Sequence, residues 1–466
     1  MSRSNLGWLL GIIGVSLLGI TVSLSAPSRE KDVDYEMVSL FVEVLDEVDS
    51  RYVRDLDADA KRKLVEDMIN GGLSRLDPHS SYINPKRLQQ FRKESKGKFG
   101  GVGIQITVDR QTNQLIVISP IVGTPAYNAG VMADDIIVKI DGKSTENMPL
   151  EEAVDRITGD PGEPVVLTVL HPGAKEPVDL KMKRAIVRVP SCLGDFRKPD
   201  NTWDFMYDKE NKIGYIRLVA FNEPTAQELK DTIVELEKQG VRGLILDLRN
   251  NPGGMLETAC DVADLFLSGG RIVSTRGRNH DEKTYVAKAP GTLLQPSEKY
   301  PMAVLINRYS ASASEIVAAA LQDHKRAVII GERSYGKGSV QNVIPLKSGA
   351  LKLTTASFWR PSGKNIHRFP DAKETDEWGV KPNEGFEIKL TPQERLDYLI
   401  YRRERDIIHG KNSGNHKTQP PKQDNQKQDD QPPNAKEKEK AKPFVDRVLQ
   451  KAVEHIRNEI SRIAGR

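Results

Sequence analysis

Three serines follow a short apolar segment near the middle of the chain, in the sequence Asn307-Arg308-Tyr309-Ser310-Ala311-Ser312-Ala313-Ser314-Glu315-Ile316. The apolar segment 302–306 predicts a strand, and an alanine-rich helical pattern begins near Glu315. A serine at a helix start lies beside free backbone N–H groups and a partial positive charge, which stabilise an oxyanion forming next to its hydroxyl. N-capping or small-residue packing is the alternative for each serine.

A serine nucleophile needs a base, and Lys337 is the candidate. Lysine accepts a proton only where burial lowers its pKa from about 10.4 towards roughly 7–8. Lys337 lies between Gly336 and Gly338, just after the apolar segment 327–330, so the backbone can bring its amine inward. Gln341, four residues later, could hold the amine by a neutral hydrogen bond. A solvated loop lysine is the alternative.

These two segments resemble those of the carboxyl-terminal processing peptidases, also called tail-specific proteases, and the resemblance extends from Leu40 to about Glu387. It implies a serine peptidase that needs no metal or organic cofactor. In such a peptidase Ser312 would be the nucleophile, Lys337 the general base and Gln341 the residue that orients the base.

The same resemblance places the glycine loop of the family at residues 246–254. The amides that polarise the substrate carbonyl would then come from Gly253 or Gly254 and from Ala313. Glycine suits this role because the backbone must approach the substrate closely. The core that carries the loop would be layered and related to the crotonase-type spiral.

Residues 96–189 resemble a PDZ domain, with a glycine-bearing loop that opens onto an alternating strand. In that fold backbone N–H groups of the loop bind a peptide carboxylate, and the peptide adds as a strand. The segment Leu150 to Ile157 would be the helix that lines the groove. Thr158 stands where the family often carries arginine, which puts any charge-based link from that position to the active site in doubt. The candidate peptide-binding residues are Gly100, Gly101, Val102, Gly103 and Ile104.

A helical entry segment precedes this domain, and a core of alternating strands and helices follows it. Apolar spacing predicts that Phe41, Val44, Leu45 and Val48 share one buried face of a helix. Apolar strands and amphipathic helices alternate after about residue 213, which predicts an α/β layered domain with its site at strand ends. His79 lies in an Asp-Pro-His-Ser sequence, where a tight turn is the simpler interpretation than a catalytic imidazole.

The fold class is therefore α+β multidomain, and both ends of the chain have their own character. The apolar stretch 7–24 predicts a secretory signal or a membrane anchor, and either would place the catalytic body in the periplasm or cell envelope. The final helix is amphipathic, and we expect it to dock on its own core or on a dimer partner rather than on a membrane. The predicted segments are 1–31 signal or anchor, 32–95 helical segment, 96–189 PDZ domain, 190–408 protease core, 409–442 disordered polar linker, and 443–466 amphipathic helix.

Composition excludes some functions. The formal net charge is only +4, and the basic residues are mixed with acids and form no sustained stripe, so nucleic-acid binding is unsupported. Cys192 and Cys260 are far apart in sequence and lack metal-ligand spacing, which favours buried free thiols.

Together these observations predict a serine endopeptidase of the exported compartment that acts through an acyl-enzyme on proteins with accessible carboxyl termini. Its partners would be such substrates, and a homo-oligomer or an adaptor protein stays open. One alternative is a noncatalytic peptide-binding adaptor that keeps the PDZ groove. A crotonase-like acyl-CoA enzyme is another, but it explains only Gly253 and Gly254.

Overall fold

The computed structural model describes residues 29–278, 280–288, 292–408 and 444–465. They form two compact units, the first ending at Leu76 and the second beginning at Asp77. The predicted leader, except for residues 29–31, and the predicted linker 409–442 lie outside the described residues. Among the described residues, no helix is both long and apolar enough to cross a membrane.

The first unit contains two helices, α1 (Arg29–Arg51) and α2 (Ala58–Leu73). Asp57 caps α2, because its carboxylate accepts a hydrogen bond from the Ala60 N–H at 2.8 Å. The predicted buried face is wrong for Phe41 and Val44, which are 37% and 42% exposed, whereas Leu45 and Val48 are half-buried. Two helices alone have too little surface to enclose a core.

The next part of the chain carries the predicted PDZ domain. Its elements are β1 (Ser81–Ile83), α3 (Pro85–Ser95), β2 (Lys98–Gly101), β3 (Ile104–Val108), β4 (Leu115–Pro120), α4 (Pro125–Ala129), β5 (Ile136–Ile140), β6 (Lys143–Ser144), α5 (Leu150–Ile157), β7 (Pro164–Leu170), β8 (Val178–Lys183) and β9 (Ala185–Arg188). Strands β3, β4, β5, β7 and β8 form a sheet in that order, with β6 beside β5, while β2 pairs with β9. Val117, Ile137 and Leu167 are fully buried in its core, together with Ala153 of α5. The segment β1 instead pairs with a strand of the following domain.

The remaining chain forms the larger core. Its elements are β10 (Cys192–Leu193), β11 (Phe196–Arg197), β12 (Trp203–Asp204), β13 (Met206–Asp208), β14 (Ile213–Leu218), α6 (Thr225–Lys238), β15 (Gly243–Asp247), α7 (Leu256–Asp264), β16 (Arg271–Gly277), β17 (His280–Val286), β18 (Met302–Ile306), α8 (Ala313–Asp323), β19 (Val328–Gly331), β20 (Ser339–Pro345), β21 (Ala350–Trp359), α9 (Pro392–Asp406) and α10 (Arg447–Ala464). Strands β14, β15, β18 and β19 are parallel neighbours. Parallel strands whose side chains are buried on both faces need a covering layer on each side of the sheet. Helices of this chain provide both layers.

One face of this sheet packs against α6, α7 and α8, and the other against α10. The α10 side chains Val448, Leu449, Ala452, Val453, Ile456 and Ile460 are buried there. The sequence predicts that the final helix docks on its own core or on a dimer partner, and the structure shows it on its own core. Cys192 and Cys260 are free and buried, as expected, and burial raises the pKa of both thiols.

A buried ion-pair cluster fixes the start of α10. Arg249 donates to both carboxylate oxygens of Asp446, at 2.9 and 2.8 Å, and it also pairs with Asp247 at 2.6 Å. Asp446 in turn caps α10 through the Leu449 N–H at 3.0 Å. Because Arg249 lies within the predicted glycine loop, this cluster links that loop to the last helix.

A second sheet runs in the order β1, β21, β16 and β17, with β20 paired to β21. The hairpin β20–β21 places Gln341 opposite Thr354, and the β1–β21 ladder places Ser81 opposite Lys352. Lys337 lies two residues before β20. This sheet therefore carries the candidate base, while the parallel sheet carries the candidate nucleophile.

Candidate active site

Ser312 and Lys337 line one cavity of about 1070 Å³. Gly254, Gln341 and Lys352 line it as well. Its apolar wall includes Phe221, Met255, Leu256, Val340 and Phe358. The structure thus brings residues that are distant in sequence into one cleft large enough for a peptide segment.

The serine turn lies between β18 and α8, as the sequence predicts. Ser312 precedes the first residue of α8 and has a φ of +56°. A non-glycine residue in this conformation is strained by about 1–3 kcal/mol, and such strain is typical of functional sites. The strain is compatible with a side chain that is held in place for chemistry.

The three serines differ in their hydrogen bonds. The hydroxyls of Ser310 and Ser314 are fully buried and donate to the backbone carbonyls of Leu248 and Asn251, at 2.8 and 2.9 Å. The Ser312 hydroxyl donates a hydrogen bond to no described residue. Ser310 and Ser314 therefore have structural roles, and of the three serines Ser312 alone lines the cavity.

The glycine loop packs directly against the serine turn. A Cβ on Gly253 would lie 2.8 Å from the Ala311 carbonyl oxygen and 2.9 Å from the Ala313 nitrogen, so no larger residue fits. The Gly253 N–H donates to Asn251 Oδ1 at 2.9 Å. By contrast, the N–H groups of Gly254 and Ala313 donate to no described acceptor. Of the two candidate glycines, Gly254 is therefore the better oxyanion donor, with Ala313 as the second.

Lys337 lies on a loop that needs its glycines. A Cβ on Gly338 would overlap the His367 backbone, so this loop packs at a distance that only glycine allows. Burial lowers the pKa of Lys337, and the nearby cation Lys352 lowers it further, while Glu315 and Asp77 oppose the shift. Among the described residues, the Lys337 amine has no ion-pair or hydrogen-bond partner. These surroundings favour the neutral amine that a general base needs.

Glu315 joins the serine turn to the lysine loop. One carboxylate oxygen accepts from the Ser312 and Lys337 N–H groups, both at 2.8 Å. The other accepts from the Ser334 hydroxyl and the Gly336 N–H, both at 2.6 Å. Burial raises the pKa of Glu315 to about 6, against the effect of these four donors. This carboxylate therefore fixes the spacing of the two loops.

Gln341 is near the base but does not bind it in this structure. Its Nε2 donates to Ser339 Oγ at 2.9 Å and to Thr354 Oγ1 at 3.1 Å. His79 does not line the cavity, and its backbone N–H closes a turn on Asp77 at 2.7 Å. His79 therefore fits the tight-turn interpretation.

The PDZ loop has the features of a carboxylate site. The Val102 and Gly103 N–H groups donate to no described acceptor, and Gly100 and Gly101 are held by the β2–β9 pairing. Strand β3, which begins at Ile104, pairs with β4 alone among the described strands and leaves its other edge open to them. Both a carboxylate cradle and a free strand edge are therefore present.

Sequence reasoning did not identify four residues around the base: Glu315, Asp77, Thr354 and Lys352. The helical pattern predicts Glu315 only as a helix residue, although an acid three residues after a helix-capping serine is a capping-box pattern. Asp77 lies in the turn before β1, and Thr354 and Lys352 lie on β21, where the sequence carries no distinctive spacing. In the described part of the chain, no three His, Cys, Asp or Glu side chains are grouped to hold a metal ion.

Comparisons with known proteins are consistent with this geometry. The family model for peptidase family S41 matches residues 212–383, and the PDZ domain model matches residues 90–170. A carboxy-terminal-processing protease of Bartonella bacilliformis is 42% identical over 352 residues, which are 74% of this chain and 76% of that protein. The carboxy-terminal processing protease CtpA of Bacillus subtilis is 34% identical over 357 residues, or 76% of this chain and 69% of that protein.

A solved structure of a photosystem II D1 C-terminal processing protease is 29% identical, with a TM-score of 0.40 over 75% of this chain and 92% of that chain. Each of the two sequence relatives matches more than two thirds of this chain.

Proposed function

Because this chain belongs to peptidase family S41, among the carboxyl-terminal-processing proteases, we propose that it cleaves exported proteins near their carboxyl termini with Ser312 as nucleophile and Lys337 as base. The observation that carries this proposal is the contrast among the serines. The hydroxyls of Ser310 and Ser314 donate hydrogen bonds to backbone carbonyls, whereas Ser312 lines the cavity that Lys337 also lines.

The proposed reaction is a two-step acyl transfer. Neutral Lys337 takes the Ser312 proton as the serine oxygen attacks the scissile carbonyl, and the Gly254 and Ala313 N–H groups stabilise the oxyanion. The ammonium then returns its proton to the leaving amine. Water hydrolyses the acyl-enzyme by the same route, and no metal or organic cofactor is needed. Ser312 and Lys337 form no hydrogen bond with each other in this structure. This is compatible with the role, because catalytic hydrogen bonds often form only when substrate binds.

The PDZ domain is proposed to bind the free substrate tail. Its supports are the unoccupied Val102 and Gly103 N–H groups and the open edge of β3. The carboxylate would sit in the loop and the tail would extend β3. Binding there either delivers the tail to Ser312 or opens the catalytic cleft.

Export is proposed from the apolar stretch at residues 7–24, which fits a secretory signal or a membrane anchor. Association with a second copy or with an adaptor protein is compatible with this role. The substrates are expected to be envelope proteins whose carboxyl termini are accessible.

The test is to compare protein termini by mass spectrometry in cells that carry the wild-type chain, Ser312→Ala, or the control Ser268→Ala. Ser268 is exposed and does not line the cavity. We expect proteins whose tails are shortened with the wild type and the control, and not with Ser312→Ala. Tail shortening that persists with Ser312→Ala would move the nucleophile elsewhere, and no shortening in any strain would favour the peptide-binding adaptor.

A further inference from the structure

The Asp77 side chain connects the segment before the PDZ domain to the strand behind the candidate base. Its carboxylate accepts from the His79 N–H at 2.7 Å, the Ser80 N–H at 2.9 Å and the Ser80 hydroxyl at 2.6 Å. These three bonds close a local turn. A fourth comes from the Thr354 hydroxyl at 3.1 Å, across 277 residues of sequence.

The turn is fastened to β21 at a second point. The Thr354 backbone N–H donates to Ser80 Oγ at 3.0 Å, and the β1–β21 ladder begins at the next residue, Ser81. Partial burial raises the pKa of Asp77, but the hydrogen bonds from Ser80, His79 and Thr354 outweigh it and hold that pKa below its usual value. Asp77 is therefore an ionised, fixed acceptor.

The direction of the hydrogen bonds then fixes the amide of Gln341. An ionised carboxylate can only accept, so the single Thr354 hydroxyl proton points to Asp77. The Thr354 oxygen must then accept a hydrogen bond from Gln341 Nε2, which lies 3.1 Å away. Gln341 Nε2 donates its second proton to Ser339 Oγ at 2.9 Å. The flipped amide would place its oxygen against a hydroxyl with no proton left to give. Gln341 Oε1 is thus left over, and it bonds to no described residue.

Gln341 and Lys337 line the same cavity, whereas Asp77 and Thr354 lie outside its lining. We propose that Asp77 is a positioning residue for the base, acting through Thr354 to hold the Gln341 amide with its carbonyl oxygen free for the Lys337 amine. The inference rests on the proposed function, since it assigns a task to Lys337. It explains why an acid that does not face substrate accepts four hydrogen bonds beside the catalytic cleft.

Two substitutions at Thr354 separate orientation from packing. Thr354→Val keeps the side-chain shape and the backbone N–H bond to Ser80 but removes the hydroxyl that bonds to both Asp77 and Gln341. Thr354→Ser keeps that hydroxyl. In the full chain with fluorescently labelled β-casein, we expect Thr354→Val to lower kcat about tenfold with KM changed less than about twofold, because the residue does not line the cavity. Thr354→Ser should retain most of the wild-type kcat.

Asp77→Ala supplies the other half of the test. It should lower kcat at least as much as Thr354→Val. The double variant should be no worse than Asp77→Ala alone, because both substitutions break the same chain of hydrogen bonds from Asp77 through Thr354 to Gln341. The matched control is Asp109→Ala, whose carboxylate also accepts two backbone N–H groups and one hydroxyl in a turn, within the PDZ domain. It should leave kcat unchanged.

The pH profile gives an independent readout. The charged groups that act on Lys337 are Lys352, Glu315 and Asp77, and Lys337 itself acts on the nearby His79. Asp77 raises the pKa of Lys337, so Asp77→Ala should move the acid limb of kcat to lower pH, whereas Thr354→Val changes no charge and should not. A purely structural defect would lower kcat without that difference.

Wild-type kcat in Thr354→Val, or equal loss in Thr354→Ser and Thr354→Val, would overturn the inference. Ser312→Ala, measured alongside, separates this failure from failure of the proposed function. If Ser312→Ala is inactive while Thr354→Val is fully active, only the role of Asp77 is wrong. If Ser312→Ala is active, the site assignment itself is wrong, and with it the task given to Asp77.

Discussion

Replacing Glu315 by glutamine tests whether one carboxylate holds the two catalytic loops together. The substitution keeps the size of the side chain but leaves one acceptor oxygen in place of two. If Nε2 replaced the oxygen that faces Ser312 and Lys337, it would oppose two backbone N–H groups. The less costly orientation turns Nε2 to Ser334, whose hydroxyl can accept, and leaves the Gly336 N–H without an acceptor.

The expected loss follows from that one buried N–H group. Leaving it unsatisfied costs about 1–3 kcal/mol. If the loop shifts to recover that energy, the same amount is added to the activation barrier, which lowers kcat/KM by about 5- to 150-fold. Glu315→Gln also removes a negative charge that raises the pKa of Lys337, so the acid limb of the rate profile should move to lower pH.

The wild-type profile should carry a further feature. Burial raises the pKa of Glu315 to about 6, so below that pH the carboxyl becomes protonated and loses acceptors for the loops. This fall in rate at low pH should be absent from Glu315→Gln, which has no proton to gain.

The assay is kcat/KM on labelled β-casein over the range from about pH 5 to about pH 10. Glu228→Gln is the control, since Glu228 on α6 also accepts a backbone N–H and a hydroxyl, both from Ser191, away from the two loops. It should keep the wild-type rate and profile. A Glu315→Gln protein with the wild-type rate and an unshifted acid limb would refute the reasoning.

Three further outcomes are expected. Lys352→Met removes a cation that lowers the pKa of Lys337, so that pKa rises and the acid limb should move to higher pH, whereas the exposed control Lys347→Met should not move it. Ser310→Ala and Ser314→Ala should each lower the free energy of unfolding by about 0.5–1.5 kcal/mol in thermal or denaturant melts, because a buried carbonyl loses one of its two donors; unchanged stability would contradict their structural roles. Amidating the carboxyl terminus of a peptide substrate should weaken binding about 10- to 150-fold through loss of charge-assisted hydrogen bonds worth roughly 1.5–3 kcal/mol; equal cleavage at subsaturating concentration would exclude tail recognition.

Local patterns predicted the elements that carry the candidate site. The strand before Asn307 and the helix after Ser312 follow from apolar runs and helical spacing, which act over short distances in sequence. The layered α/β core, the PDZ domain and the peptidase family are also confirmed. They could be predicted because each depends on local motifs in a fixed order. The roles of Ser312, Lys337 and Gln341 stay predictions.

What the sequence did not show depends on long-range contacts. Thr354 meets Asp77 across 277 residues, and no spacing rule connects them. The choice between Gly253 and Gly254 required knowing that Asn251 already occupies one of the two N–H groups. The apolar spacing around Phe41 correctly predicts a helix, but periodicity does not show which element, if any, covers its apolar face.

The last helix is fastened to the catalytic loop by contacts that do not require a continuous chain. Arg249 holds Asp446 through a bidentate pair, and six apolar side chains of α10 fill one face of the central sheet. Burial of such side chains is worth roughly 1.5–3 kcal/mol each, while loss of Asp446 would leave part of a buried guanidinium uncompensated. The protein is therefore suited to fragment complementation: a chain cut within residues 409–442 should recover activity when the detached helix is added back, and peptidase turnover would report the reassembly.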